Sequence, residues 1–225
     1  MKQGNAAGFS GSVHCPRKFA MVRAGLRTNW IIGGLLIVSS VAAAQQPVPG
    51  AVHLIESGKA DVDGRSMPYR IRMLPVSSFP DLPAPVVDIL NHRECLIPQT
   101  YQAHRPENVV HASLERAGSS DWAVLCSAQG TVSLLVFFGS ATGDPIVLAS
   151  SIETQRLQPH DRTGVLGFNW GIDPATPASV HEAQTGLDHR PALLDHDALA
   201  DSVLDHRTVY HFFAKNVWTS LEMPE

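Results

Sequence analysis

A chain of 225 residues that is 44% hydrophobic, 17% charged and 7% aromatic holds enough apolar material for one sizeable core, which excludes a disordered, collagen-like or coiled-coil protein. A multi-span membrane protein is excluded too, because only the stretch from Trp30 to Ala44 is apolar over a length worth considering. Positions 1–44 carry five basic residues and no acidic one, so positions 45–225 hold 12 basic against 21 acidic residues, a net charge of −9 that argues against nucleic acid or anionic lipid as partner.

Met21 to Arg27 is a short positive region, Ile31 to Val41 an apolar core, and Ala42-Ala43-Ala44 precedes Gln45-Gln46-Pro47. This is the pattern of a secretory signal peptide cut after Ala44. The apolar run is shorter than the roughly 20 residues that span hydrocarbon, so no stable membrane span is expected after cleavage. Met21 offers an alternative start that would drop Cys15. The expected organisation is a leader over 1–44 and a single globular domain over 45–225, periplasmic or secreted. In an oxidising compartment the pair Cys95 and Cys126 is most simply a disulfide, and closing that loop would stabilise the fold by roughly 3–4 kcal/mol on the chain-entropy model. A reactive thiol or metal thiolate is the rival, without a C-x-x-C spacing to support it.

From Val52 to Arg72, alternation around Gly58 and Gly64 predicts one or two strands, with Tyr69-Arg70-Ile71-Arg72-Met73 at the end. From Asp81, Pro83 and Pro85 fall in a first helical turn and Val86, Val87 and Leu90 repeat at helical spacing, predicting a helix that ends near Arg93. Asp121 to Ser127 and Thr131 to Phe138 read as a hairpin around Ala128-Gln129-Gly130, its second strand apolar on both faces and therefore central. Ile146 to Ala149 and Val165 to Trp170 extend the sheet. Thr176-Pro177 starts a helix that Gly186 would stop. A second C-terminal helix is predicted from Asp195 to Asp205, with Ala198, Leu199 and Val203 on one face and Asp197, Asp201 and Asp205 on another. Thr208 to Phe213 and Val217 to Leu221 form a closing hairpin. Together these elements predict an α+β fold with a mainly antiparallel sheet, two to three helices and one disulfide.

Residues Ala112-Ser113-Leu114-Glu115-Arg116-Ala117-Gly118-Ser119-Ser120-Asp121-Trp122-Ala123-Val124, followed by Gly130-Thr131-Val132-Ser133-Leu134-Leu135, resemble a single FG-GAP or VCBS-type repeat over positions 112–138. The resemblance implies a calcium loop with oxygen ligands at alternate positions, which here fall on Ser113, Glu115, Ala117 and Asp121. Ala117 has no side-chain oxygen, so Glu115 and Asp121 are the strong ligands that survive in a degenerate site. A propeller needs several such units, so the resemblance serves for local hairpin geometry. The wider frame, Cys95-Leu96-Ile97-Pro98-Gln99 and Asp121 to Cys126, resembles exported bacterial proteins of unknown activity.

Ten of the 11 histidines lie beyond position 44, five of them from His181 to His211 and interleaved with acids. Asp195-His196-Asp197 and Asp205-His206 bring imidazole and carboxylate into one segment, and Asp197, Asp201 and His206 are the best ligand set for a divalent metal. His181 fails the H-E-x-x-H spacing, because Thr185 stands where the second histidine belongs. The alternative is that these are ordinary surface residues of a helix and a strand. Gly139-Ser140-Ala141-Thr142-Gly143 is not a G-x-S-x-G elbow, Ser57-Gly58-Lys59 lacks the rest of a phosphate loop, and G-x-G-x-x-G is absent. Trp122, Trp170 and Trp218, with Phe168, Tyr210 and Phe212, either line a ligand groove or fill the core. No complete catalytic constellation emerges. The leading expectation is a non-catalytic module, without a cofactor, that binds a small ligand or a protein of the cell envelope. The alternative is a metal-dependent hydrolase in the His/Asp-rich C-terminal third.

Overall fold

Two tight turns with left-handed residues, Asp63-Gly64 and Gln129-Gly130, fold the chain back on itself and set its two longest hairpins. The computed structural model describes residues 54–139, 143–185, 187 and 192–222. The expected leader, Ser140 and Gly186 lie outside them. In chain order the elements are β1 (Leu54–Val62), β2 (Arg65–Pro75), α1 (Ala84–His92), β3 (Leu96–Gln99), β4 (Val109–Ala112), β5 (Asp121–Ala128), β6 (Thr131–Phe137), β7 (Ile146–Ile152), β8 (Leu157–Pro159), β9 (Leu166–Phe168), β10 (Trp170–Ala175), α2 (Pro177–Ala183), β11 (Ala198–Val203), β12 (Arg207–Ala214) and β13 (Val217–Glu222). Among the described residues no helix is long and apolar enough to cross a membrane.

The strands form two sheets. Nine of them run β7-β6-β5-β3-β2-β9-β8, with β1 added on β2 and β4 on β5; the other four run β10-β11-β12-β13. All pairs are antiparallel except a parallel bridge between Tyr69 of β2 and Leu166 of β9. The chain passes from the first sheet to the second at the buried Asn169, between β9 and β10.

Side-chain alternation explains the layers. On β5, Ala123 and Leu125 face one way and join Leu134, Val136, Trp170, Ile172 and Leu199 in the core between the sheets. Trp122, Val124 and Cys126 face the other way, where they pack with Val86 and Leu90 of α1. A smaller core, Ala175, Val180, Ala198 and Phe212, places α2 on the far face of the second sheet. The expected burial of both faces of the second strand of the central hairpin is found over its last half: Leu134, Leu135, Val136 and Phe137 of β6 are all buried.

Cys95 and Cys126 form the expected disulfide, with Cα atoms 5.2 Å apart. It ties the end of α1 to β5. The helix closes with Glu94 in the left-handed region at φ 56° while the Cys95 N–H donates to the Leu90 carbonyl at 3.0 Å. At α2 the Thr176 hydroxyl accepts from the Ser179 N–H at 3.1 Å, the cap expected there.

The α+β expectation is overturned. Strand makes up 51% and helix 14% of the described residues, so the fold is closer to all-β with two covering helices. The decisive difference is 195–205, where a helix was expected and β11 stands. The four-residue spacing of Asp197, Asp201 and Asp205 mimics a polar helical face. Yet Asp201 is itself buried, and Leu199, Asp201 and Val203 share one strand face, the acid held by polar partners inside the protein. Tertiary pairing on both sides, to β10 and β12, outweighs a weak local helical pattern.

Candidate binding site

Strand β2 carries Arg70 and Arg72 on alternate positions, so both guanidinium groups reach the same side of the sheet. Together with Ile55 of β1, Tyr101, His160 and Phe168 they line a cleft of about 580 Å³. The loop after β3 is pinned in place by Glu107: its Oε1 accepts from the Thr100 N–H at 2.9 Å and from the Thr100 hydroxyl, while its own N–H donates to Gln99 Oε1 at 2.9 Å. The Tyr101 N–H then donates to the Phe168 carbonyl at 2.9 Å, which joins the loop to β9.

Tyr101 and His160 are stacked, ring centroids 4.8 Å apart and planes within 12°. The phenol is held from behind, donating to Asp205 Oδ2 at 2.7 Å and accepting from Gln158 Nε2 at 2.8 Å. Burial, and then the hydrogen bond to Asp205, push its pKa up. The stack requires Gly167: a Cβ there would stand 2.6 Å from Tyr101 Cβ and 2.7 Å from His160 Cδ2.

The electrostatics of the cleft are cationic. Arg72 donates to the Ala103 carbonyl at 3.0 Å, and among the described residues neither Arg70 nor Arg72 has a carboxylate ion-pair partner. The acid on the rim, Asp161, already accepts from the Thr163 hydroxyl and N–H, at 2.5 and 2.8 Å, and these bonds hold its carboxyl below the usual range. Apolar walls and two uncompensated guanidinium groups suit a molecule with an apolar or planar body and one anionic group.

The residues singled out by sequence are dispersed. Asp121 is buried, and its oxygens accept from the N–H groups of Leu114 and Glu115, each at 2.8 Å, from the Gly139 N–H at 2.7 Å and from the Ser119 hydroxyl. Donors thus converge on this carboxylate and close the 113–119 loop around it. Glu115 points away and pairs with Arg116 at 3.0 Å. Asp197 accepts from the Ser113 N–H at 3.1 Å, Asp201 is bonded to Trp170 and His211, and His206 sits exposed in the β11–β12 turn. Among the described residues no group of three or more His, Cys, Asp and Glu is arranged to hold a metal ion. Of the aromatic set, Trp170 and Phe168 are core, while Trp122 borders a second groove.

Two features escaped sequence reasoning. The cleft draws on β1, β2, the loop after β3 and the loop between β8 and β9, so no local motif marks it; the one available signal was two arginines two positions apart in a strand of an acidic chain. The other is Glu153, buried beside Glu56 and accepting from the Ser127 hydroxyl at 3.0 Å. Burial, then the charge of Glu56, push its carboxyl up to about 7. Comparison with family models, with curated proteins and with solved structures finds no match.

Proposed function

We propose that this chain is an exported binding module, periplasmic or secreted, whose cleft holds a small molecule with an apolar or aromatic body and a single carboxylate or phosphate. The observation that carries the proposal is the pair Arg70 and Arg72, without carboxylate partners, facing the Tyr101–His160 stack in a protein that is otherwise acidic. The guanidinium groups would take the anion and the cleft walls, Ile55 and Phe168 among them, the apolar body. The leader pattern of positions 21–44 and the Cys95–Cys126 disulfide support export.

Calorimetry with 2-naphthoate and its neutral isostere 2-naphthamide tests this reading. Binding of the naphthoate, weakened by added salt and at least about tenfold tighter than that of the amide, is the expected result. Equal affinity for the two, or no heat from either, rejects it.

A further inference from the structure

The second sheet carries a buried polar relay that no sequence motif announces. Asp201 on β11 and His211 on β12 are 8% and 7% exposed, and His211 Nε2 lies 3.1 Å from Asp201 Oδ2. The other carboxylate oxygen accepts from the indole Nε1 of the fully buried Trp170 at 2.5 Å. On the opposite edge of the imidazole, His211 Nδ1 lies 2.9 Å from the hydroxyl of Ser220, which stands directly across from His211 in the β12–β13 register and is exposed. The carboxylate can only accept, so it selects the tautomer with the proton on Nε2 and leaves Nδ1 as an acceptor aimed at the serine.

The surroundings favour a reacting group at that serine. Ser220 belongs to β13, the outer strand of its sheet, so it is reached without entering the core. On one side of it along the same face, Phe138, Phe213 and Trp218 form an aromatic cluster with centroids 4.9–5.9 Å apart. The indole N–H of Trp218 is buried there and has no hydrogen-bond partner among the described residues. On the other side Arg207 pairs with Glu222. A carboxylate that fixes an imidazole, and an imidazole that accepts from a hydroxyl, are the parts of an activated serine nucleophile. The two ring nitrogens are exchanged relative to the usual hydrolase arrangement, but proton transfer through the ring works in either sense.

We infer that Ser220, His211 and Asp201 form a nucleophilic site for small carboxylic esters, separate from the Arg70–Arg72 cleft. In the first half, Ser220 Oγ bonds to the ester carbonyl carbon while its proton passes to His211 Nδ1. The bond from that carbon to the leaving oxygen breaks, and Nδ1 returns the proton to the departing alcohol. In the second half, water adds to the acyl carbon and gives a proton to Nδ1. The bond to Ser220 Oγ breaks, the acid leaves, and the serine recovers its proton; no electrons are gained or lost.

The test is labelling of the intact protein with a fluorophosphonate, read by mass and peptide mapping, alongside turnover of 4-nitrophenyl acetate. One adduct on Ser220 is expected, absent from Ser220→Ala and formed about 100-fold more slowly in His211→Gln. Asp201→Asn should slow it as well. Wild-type protein unfolded in urea keeps the serine but loses the relay, so its Ser220 should not label, a comparison that stands even if a variant fails to fold. A folded wild type unlabelled at Ser220, a His211→Gln variant labelled at the wild-type rate, or equal labelling of folded and unfolded chains overturns the inference.

Discussion

Two concave surfaces of this protein are built on the same device and differ in charge. In the Arg70–Arg72 cleft Tyr101 stacks on His160, and in a groove of about 510 Å³ beside α1 Trp122 stacks on His111, 4.3 Å apart and within 13°. The groove is otherwise lined by Phe79, Pro80, Leu82 and Pro106, with Asp81 as its formal charge. It lies over the apolar core that α1 and the disulfide close. An aromatic–imidazole stack therefore does not by itself mark a site. What separates the two is the pair of guanidinium groups without carboxylate partners, present in one and absent from the other.

The largest effect should come from the groove side. Replacing both cysteines, Cys95→Ser with Cys126→Ser, should lower stability by about 3–4 kcal/mol on the chain-entropy model, measured by urea unfolding. Naphthoate binding by the fraction still folded should be unaltered, because the cleft does not contain α1. If affinity falls with stability, the two regions are not independent. Next, Gly167→Ala forces a Cβ into the Tyr101–His160 stack and should cost about 1–3 kcal/mol, read as a lower urea midpoint. It should also weaken naphthoate binding while leaving the Trp122 fluorescence environment unchanged.

A smaller effect is expected from Arg70→Ala, which removes an exposed side chain and should leave the fold intact while weakening naphthoate binding by about tenfold, or about 1.4 kcal/mol. Asp81→Ala in the groove should leave it unaltered. Glu153 lies outside the cleft, so its effect is expected on the pH dependence of stability and not on naphthoate binding. Glu153 has its carboxyl pushed up to about 7 from an ordinary 4.5, so the folded state holds that proton more tightly than the unfolded chain. Its contribution is complete below the unfolded value and is lost as pH rises through the folded one. The midpoint of thermal unfolding should fall between about pH 5 and pH 8, and Glu153→Gln should remove that slope.

Much of the scaffold was legible in the sequence, because it is written in local chemistry. The prolines at 83 and 85 started α1, Thr176 capped α2, Gln129-Gly130 turned the central hairpin, and the cysteine pair closed as expected. β11 was misread because burial of Asp201 depends on Trp170 and His211, residues 31 and 10 positions away. Nothing within one helical turn of Asp201 reveals such partners. The cleft was hidden for the same reason: Arg70 and His160 line one cavity only once β2 and β9 are side by side. Asp121 was singled out for an ion, and its oxygens are instead met by the backbone donors of Leu114 and Glu115 in the preceding loop and of Gly139 after β6.

The most direct test of the distinction between the two surfaces is an amide chemical-shift titration of the uniformly labelled protein with 2-naphthoate. Shifts confined to Ile55, Arg70, Tyr101, Thr163 and their neighbours are the predicted result, with Phe79, His111 and Trp122 unmoved. Shifts centred on the Trp122–His111 groove, or none at either surface, would contradict the assignment of binding to the two arginines.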